Sequence, residues 1–164
     1  RGLLGFRMHL MRATSGLGQI NSVFYGYEPL AGPIPGRQFG SLVAWEAGVA
    51  STYALVHTQA RGTFFIQPQT EVYEGMVVGE HIRAEDLAVN VTKTKHLTAV
   101  RTKNYADEVR LAPPRSMSLD DCLEFLAEDE LLEVTPGSLR IRKRILNNED
   151  RQKDQKRREK LLEG

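Results

Sequence analysis

The sequence is poor in the residues that build covalent cross-links, metal sites and membrane spans. Among its 164 residues there is one cysteine, Cys122, which excludes an internal disulfide framework and a cysteine-based zinc site. No apolar run approaches the ~20 residues that a membrane helix requires, and no signal-peptide pattern opens the chain. The length predicts one domain with an appendage, and the absences predict a reducing compartment away from membranes.

Motifs for nucleotide, metal and hydrolytic chemistry are missing as well. No G-x-x-x-x-G-K-[ST] phosphate loop occurs, and the four histidines are scattered without H-E-x-x-H spacing. Ser51, His57 and Glu71 are a conceivable nucleophile, base and acid, but their spacing does not support a triad. Cys122 lies on an apolar stripe and is interpreted as a buried small hydrophobe. The chain itself is therefore predicted to have no enzymatic activity, no cofactor and no metal.

The net charge of +1 hides a strong segregation of charge along the chain. Residues 93–115 hold six basic and two acidic side chains, and residues 120–133 hold seven acids and no base. Residues 140–160 then hold ten bases and four acids. Two basic blocks separated by an acidic one indicate an anionic partner that meets one part of the surface. The alternative is that each block is only a solvated face.

The N-terminal region predicts a helix and a strand that are separate from the rest of the chain. Residues 1–15 have an apolar stripe at helical spacing, and residues 19–27 are rich in β-branched and aromatic side chains. The chain begins at Arg1 inside this helix, which is typical of a piece of a larger protein. Glycines and prolines between 29 and 40 predict a linker and a domain boundary.

The next region predicts a β-rich domain arranged as a compact sheet or small barrel. The predicted strands are 41–46, 50–56, 63–67, 76–83 and 87–91. Residues 54–61 are also consistent with a short helix ended by Gly62, and periodicity does not decide between the two over so few residues. Residues 92–111 predict a long loop, and loops of this length in compact domains are more often functional than decorative.

The C-terminal third has the clearest local signals. Ser118 to Asp121 predict a capping box at the start of an acidic helix over 118–130. Residues 131–134 and 139–145 predict a hairpin. The alternation of side chains along its second strand turns Leu139 and Ile141 inward and aligns three guanidinium groups on the other side: Arg140, Arg142 and Arg144.

The tail predicts one more helix, capped by Asn147 or Asn148 and running through Leu162. It has too few apolar side chains to hold a place in a core. We expect this helix either to fray or to dock on a partner.

Long sequence motifs occur along the chain in the order of one family. They are R-G-L-L-G-F-R at 1–7 with T-S-G at 14–16, R-Q-x-G-S-L-V at 37–43, E-V-Y-E-G-M-V-V-G at 71–79, D-L-x-V-N at 86–90, L-T at 97–98 followed by Arg101, D-E-L-x-E-V-T-P at 129–136, and R-I-R-K-R at 140–144. Over nearly its whole length the chain resembles the C-terminal part of the BipA/TypA family of ribosome-associated translational GTPases.

The resemblance implies an α+β fold with four parts. Residues 1–28 correspond to the second half of a ferredoxin-like domain similar to those of elongation factor G, and residues 29–40 to a linker. Residues 41–146 form the β-rich C-terminal domain peculiar to the family, and residues 147–164 a basic tail helix. The parent would bind GTP and magnesium in a GTPase domain absent from this chain. Without the remaining strands of the ferredoxin-like domain, the segment 1–28 should pack on the rest of the chain, pair with another copy as a swapped dimer, or be disordered.

The resemblance also implies a ribosome-binding function in the cytoplasm, in ribosome function or assembly and in stress adaptation. The family contacts large-subunit rRNA and the A-site tRNA, beside ribosomal proteins, through an extended basic loop that matches residues 92–108. Lysine and arginine suit phosphates, while histidine and tyrosine suit an unpaired base. The RNA-binding residues expected are Lys93, Lys95, His96, Arg101, Lys103 and Tyr105, with Arg140, Arg142 and Arg144.

Two other classes of function stay open on the residues alone. A protein-interaction module would use the acidic helix 118–130 to dock ribosomal proteins or the GTPase domain of its own parent. An independent enzyme based on His57 would need a deep pocket at that residue with a carboxylate in hydrogen-bond reach.

Overall fold

The computed structural model of the protein describes residues 3, 5–30, 32, 36–94 and 110–162, and over these ranges the fold is mixed α+β, as expected. The helices are α1 (Phe6–Ala13), α2 (Thr52–Thr58) continued by a 3-10 turn (Gln59–Arg61), α3 (Leu119–Phe125) and α4 (Asn148–Leu162). The strands are β1 (Ser41–Ala44), β2 (Gly48–Val49), β3 (Gly62–Phe64), β4 (Glu71–Val72), β5 (Val77–His81), β6 (Leu87–Val89), β7 (Glu130–Thr135) and β8 (Ser138–Lys143).

A four-stranded sheet in the order β3-β5-β1-β6 is the centre of the domain. Its pairs are antiparallel except β1 with β6, which are parallel. Strand β1 is buried along its whole length, because it lies between two other strands and is covered on its faces. Two smaller two-stranded sheets, β2-β4 and the hairpin β7-β8, complete the domain. A bridge from Met76 to Arg142 joins the hairpin to the central sheet.

Two apolar clusters lie on the elements around this sheet. The larger includes Leu42, Leu55, Val78 and Val91, each at most 1% exposed, so α2 packs directly on the strands. The smaller includes Cys122, Phe125 and Ile141 and joins α3 to the hairpin. Cys122 is thus a buried apolar side chain, as predicted, and burial raises the pKa of its thiol.

Helix α2 replaces the strand that the sequence pattern predicted over 50–56. The helical alternative for this region is the correct one, since Ser51 caps α2 by accepting a hydrogen bond from the N–H of Ala54 at 3.0 Å. The 3-10 turn then ends where Gly62 begins β3. Alanine and leucine at the buried positions are compatible with the periodicity of a helix and with that of a strand. The sequence alone therefore did not identify the helix.

The capping box and the hairpin form as predicted, but the helix does not extend to residue 130 as predicted. It ends at Phe125, because Leu126 leaves the helical backbone conformation. The Ser118 hydroxyl accepts from the N–H of Asp121, and the Asp121 carboxylate accepts from the N–H of Ser118 at 3.0 Å. The Ser118 hydroxyl, which donates to the Asp121 carboxylate at 2.6 Å, and then the Ser118 N–H hold the pKa of Asp121 below its ordinary value. In the hairpin, six residue pairs run from Glu130 opposite Lys143 to Thr135 opposite Ser138.

The predicted strand over 19–27 does not form: residues 17–30 have no helix or strand. A strand needs a neighbour for its backbone hydrogen bonds, and none of the described strands lies beside this segment. Its side chains are strongly exposed, including Val23 at 91%, Tyr25 at 92% and Tyr27 at 97%. Helix α1 also buries no residue, and it meets α3 through His9 with Glu124 and Arg12 with Asp121.

Candidate nucleic-acid interface

The basic segment 93–115 has described residues at both of its ends, and these are bonded to the two ends of α2. Five of its predicted RNA-binding residues lie outside the described part of the chain: Lys95, His96, Arg101, Lys103 and Tyr105. The residues that lead into and out of the segment are described, and both sides are held to the scaffold. The geometry of these two anchors is therefore what the structure contributes to the site.

The entry to the segment is fixed at the start of α2. The Ser51 hydroxyl, which caps the helix, also donates to the carbonyl of Lys93 at 2.5 Å. The Asn90 side-chain oxygen accepts from the N–H groups of Thr92 and Lys93, each at 3.0 Å. Val91 between them is fully buried. The backbone of Lys93 is thus held from two sides, while its side chain is exposed to solvent.

The carboxylate of Glu46 holds the same bend from the other side. It accepts hydrogen bonds from the Thr92 hydroxyl at 2.6 Å and from the side-chain N–H of Asn90 at 2.9 Å. Charge-assisted bonds of this kind are stronger than neutral ones. The start of the basic segment is therefore held by a hydrogen-bond network of four residues: Glu46, Ser51, Asn90 and Thr92.

The exit from the segment is fixed at the other end of α2 by one side chain. Gln59 accepts from the N–H of Ala112 at 3.0 Å and donates to the carbonyl of Arg110 at 3.3 Å. Leu111 between them packs on the larger apolar cluster. Farther along, the N–H of Arg115 donates to the carbonyl of Phe64 at 2.8 Å. The guanidinium of Arg115 meets the Glu80 carboxylate at 3.1 Å.

The two anchors have a defined separation because one helix carries both. Gln59 lies eight positions after Ser51, which corresponds to about 12 Å along a helix axis. Between them Tyr53 and His57 make an edge-to-face contact, with ring centroids 4.3 Å apart. Tyr53 is 36% exposed. An exposed ring beside a cationic segment is suited to stacking on an unpaired base.

The arginines of the hairpin are largely occupied within the protein. Arg142 Nε lies 2.8 Å from Glu133 Oε1, and Tyr73 donates to the other oxygen of Glu133 at 2.7 Å. Burial, followed by the bond to Glu133, raises the pKa of Tyr73. Arg140 lies opposite Glu133 in the strand register, and Arg144 donates to the carbonyl of Glu128 at 2.8 Å. The alternation is as predicted, with Ile141 buried between them.

Lys143 is a buried cation that the sequence interpretation missed. Its side chain is 1% exposed, and its ammonium contacts Asp86, Asp129 at 2.9 Å and Glu130 at 2.9 Å. Burial alone would lower the pKa of Lys143, but the three carboxylates outweigh it and raise the pKa above its ordinary value. A signal existed in the sequence, because alternation places residue 143 on the same side as Ile141.

Glu130 extends this cluster into the segment that was predicted as a linker. Arg37 donates to both oxygens of Glu130, at 3.0 and 3.1 Å, and the Ser41 hydroxyl donates to Glu130 at 2.6 Å. The guanidinium also lies 4.0 Å from the ring centroid of Phe125. Burial opposes the charge on Glu130, but the hydrogen bonds from Arg37 and the charge of Lys143 hold its pKa below the ordinary value.

Most of the acidic block pairs with cations of the same chain. Asp121 and Glu124 meet Arg12 and His9 of α1. Asp129, Glu130 and Glu133 meet Lys143, Arg37 and Arg142. Within the described ranges, Asp120 and Glu128 are the members of the block whose carboxylates have no cation within 4.0 Å. The surface left for an external basic partner is therefore small.

The imagined hydrolytic trio is not assembled. Ser51 caps α2 and binds the Lys93 carbonyl, His57 contacts the ring of Tyr53, and Glu71 is exposed in β4. No hydrogen bond joins any two of these three described residues. No helix within the described ranges is long and apolar enough to cross a bilayer.

Comparison with known proteins places this architecture in a family. Residues 39–148 match the model of the TypA/BipA C-terminal domain. The chain is 46% identical over 154 residues to the large ribosomal subunit assembly factor BipA of Bacillus subtilis, covering 93% of this chain and 25% of the relative. It is 47% identical over 143 residues to the protein of that name from Synechocystis, covering 87% of the chain and 24% of the relative. It is also 46% identical over 141 residues to the putative elongation factor TypA-like SVR3, chloroplastic, of Arabidopsis thaliana, with 86% and 21% covered. The chain thus spans about a quarter of the length of these relatives.

Proposed function

Because this chain belongs to the TypA/BipA family, we propose that it acts as the ribosome-binding C-terminal module of a translational GTPase that works in large-subunit assembly and stress adaptation. Its targets are large-subunit rRNA and the A-site tRNA, in the cytoplasm or a plastid. GTP and magnesium belong to a GTPase domain of the whole protein and not to this chain. The names of the bacterial relatives, which are large ribosomal subunit assembly factors, support this assignment.

The observation that carries the proposal is the anchoring of the cationic segment. Residues 93–115 hold six bases against two acids, and the scaffold fixes the backbone at Lys93 and at Arg110. Anchors on one rigid helix present the cations between them with a smaller loss of conformational entropy on binding than free ends would allow. Phosphate contacts from lysine and arginine place few geometric demands on the segment and release counterions.

The N-terminal part fits the second half of a ferredoxin-like domain whose first half is not in this chain. Residues 17–30 expose aromatic and β-branched side chains in an extended segment without a neighbouring strand. Such a segment is suited to complete a sheet. In the whole protein the earlier part of the chain supplies the neighbour, and a swapped dimer would be a substitute for it.

Docking of a protein through the acidic helix is the weaker candidate. The carboxylates of Asp121 and Glu124 in α3 already face α1, and Asp129 and Glu130, which follow the end of the helix at Phe125, hold the buried Lys143. Crosslinks from Glu124 and Glu128 that reached ribosomal protein rather than RNA would favour this alternative.

The test is the double variant Lys95→Glu with Arg101→Glu in sedimentation with large ribosomal subunits at two salt concentrations. We expect much weaker binding at low salt and a salt slope shallower by about one unit for each lost phosphate contact. The matched control Arg7→Glu with Arg83→Glu makes the same change of charge at exposed residues away from the segment. Equal binding by both variants and the parent chain would contradict the proposal.

A further inference from the structure

Helix α4 has an inner face that is fixed to the domain. Asn147 caps it by accepting from the N–H of Asp150 at 3.1 Å, and Glu74 accepts from the N–H of Asn148 at 2.9 Å. Arg151 donates to the carbonyl of Ile145 at 3.1 Å and to the Asn148 side chain at 3.1 Å. Burial lowers the pKa of Arg151. The start of the helix is thus held in a defined direction although its hydropathy is low.

The outer face of α4 is a stripe of exposed cations. Lys153, Lys156 and Lys160 follow at i, i+3 and i+7, which places them on one side of a helix, and Arg157 lies beside them. All four are exposed. We call this set the lysine stripe. It spans about 10 Å along the helix axis.

Intramolecular pairing accounts for only part of the stripe. Lys153 reaches Asp150 at 3.4 Å, and Arg157 shares Asp154 with Arg158. Neither Lys156 nor Lys160 has a carboxylate within 4.0 Å among the side chains that the structure describes.

The arrangement of the stripe costs the isolated helix stability. Lys156 and Lys160 are like charges four residues apart, and such a pair destabilises a helix by a few tenths of a kcal/mol. The dipole favours cations only in the last turn. The stripe adds no packing, because its side chains lie in solvent. An external anion would neutralise the charges of Lys156 and Lys160, for which the described side chains supply no carboxylate within 4.0 Å.

We propose that the lysine stripe binds the phosphate backbone of RNA, as a second contact separate from the segment that starts at Lys93. The inference rests on the proposed function. A membrane surface does not fit, because an interfacial helix needs a broad apolar face and the stripe has none. Lysines at helical spacing meet phosphates as point charges and do not read bases, so the contact is independent of sequence. The stripe lies beyond residue 148, where the match to the family domain ends.

The test compares two double variants of the full chain on a short labelled RNA duplex, by fluorescence anisotropy over a salt series. Lys156→Gln with Lys160→Gln removes two charges from the stripe, and Arg7→Gln with Arg83→Gln removes two exposed charges elsewhere. Glutamine keeps the helix propensity of lysine, and circular dichroism checks that α4 persists. For the stripe variant we expect the slope of log K against log salt to fall in magnitude by about 1.8, and for the control by much less.

Each outcome decides the matter. RNA binding that is unchanged in the stripe variant, or reduced equally in the control, overturns the inference and leaves the proposed function standing. Weaker binding to whole large subunits with unchanged affinity for protein-free rRNA assigns the stripe to a protein partner, and it also overturns the inference. A parent chain that binds neither subunits nor RNA contradicts the proposed function itself.

Discussion

Lys143 Nζ lies 2.9 Å from Glu130 Oε1, with both side chains almost fully buried and directly opposite each other across the hairpin. The pair joins distant parts of the domain. Arg37 and Ser41 bind the Glu130 carboxylate, and Asp86 and Asp129 bind the Lys143 ammonium. A buried ion pair is stable only when its remaining donors and acceptors are satisfied, and here they are. The basic run at 140–144 therefore contains one residue with a structural role.

Replacing Lys143 by methionine should destabilise the chain by about 3–5 kcal/mol, because three carboxylates would lose their common cation. The same change at Arg144, which is exposed and makes one side-chain bond to a carbonyl, should cost less than about 1 kcal/mol. Urea unfolding of both variants measures the difference. Similar midpoints for the two would show that the Lys143 cluster contributes little.

The free energy of unfolding should depend on pH through the same cluster. It should fall in acid because of Glu130 and at high pH because of Lys143. The pKa of Glu130 is depressed from 4.5, so its contribution is present above 4.5 and is lost as pH falls through the lower folded value. The pKa of Lys143 is raised from 10.5, so its contribution is present below 10.5 and is lost at higher pH. Glu130→Gln should flatten the acid limb of the unfolding free energy. A limb as steep as that of the parent would assign acid unfolding to other groups.

Two truncations should separate the appendage from the domain. A chain starting at residue 36 loses α1, whose described contacts to α3 are a hydrogen bond between His9 and Glu124 and an ion pair between Arg12 and Asp121, and should keep nearly the full unfolding free energy. A chain starting at residue 39 also loses Arg37 and leaves the buried Glu130 short of two hydrogen bonds. We expect it to be less stable by about 3 kcal/mol. Thermal unfolding compares the two, and equal midpoints would make Arg37 dispensable.

Gly75 should not tolerate a side chain. Its φ is +84°, and an added Cβ would lie 2.6 Å from the Cα of Leu146. Gly75→Ala should therefore cost at least about 1–3 kcal/mol, because backbone strain and the clash act together. Gly137 in the hairpin turn has nothing within 4 Å of such a Cβ, so Gly137→Ala is the matched control. A melting temperature equal to that of the control would show that the loop at Gly75 relaxes freely.

Local signals predicted local structure in this chain. The capping box at Ser118 and the alternation that buries Ile141 are set by neighbours within a few residues, and both predictions are confirmed. Helix α2 was ambiguous because seven residues give too little periodicity. The strand over 19–27 failed for a different reason, since its pairing depends on a neighbour that none of the described strands supplies.

The sequence predicted the positive charge of the candidate site but not the contacts that hold it to the domain. The count of bases identified the segment after Lys93, and Lys93 is exposed as expected. The anchoring roles of Ser51, Asn90 and Gln59 were missed, because a polar side chain that binds a distant backbone leaves no pattern in the sequence. Lys143 was missed because charged residues are ordinarily assigned to the outside of a strand.

The two anchors, Ser51 and Gln59, hold the chain on either side of the stretch between Lys93 and Arg110. The described residues on either side of this stretch are bonded to the scaffold independently of the residues between them, so we expect changes in the length of the stretch to leave the strands in place.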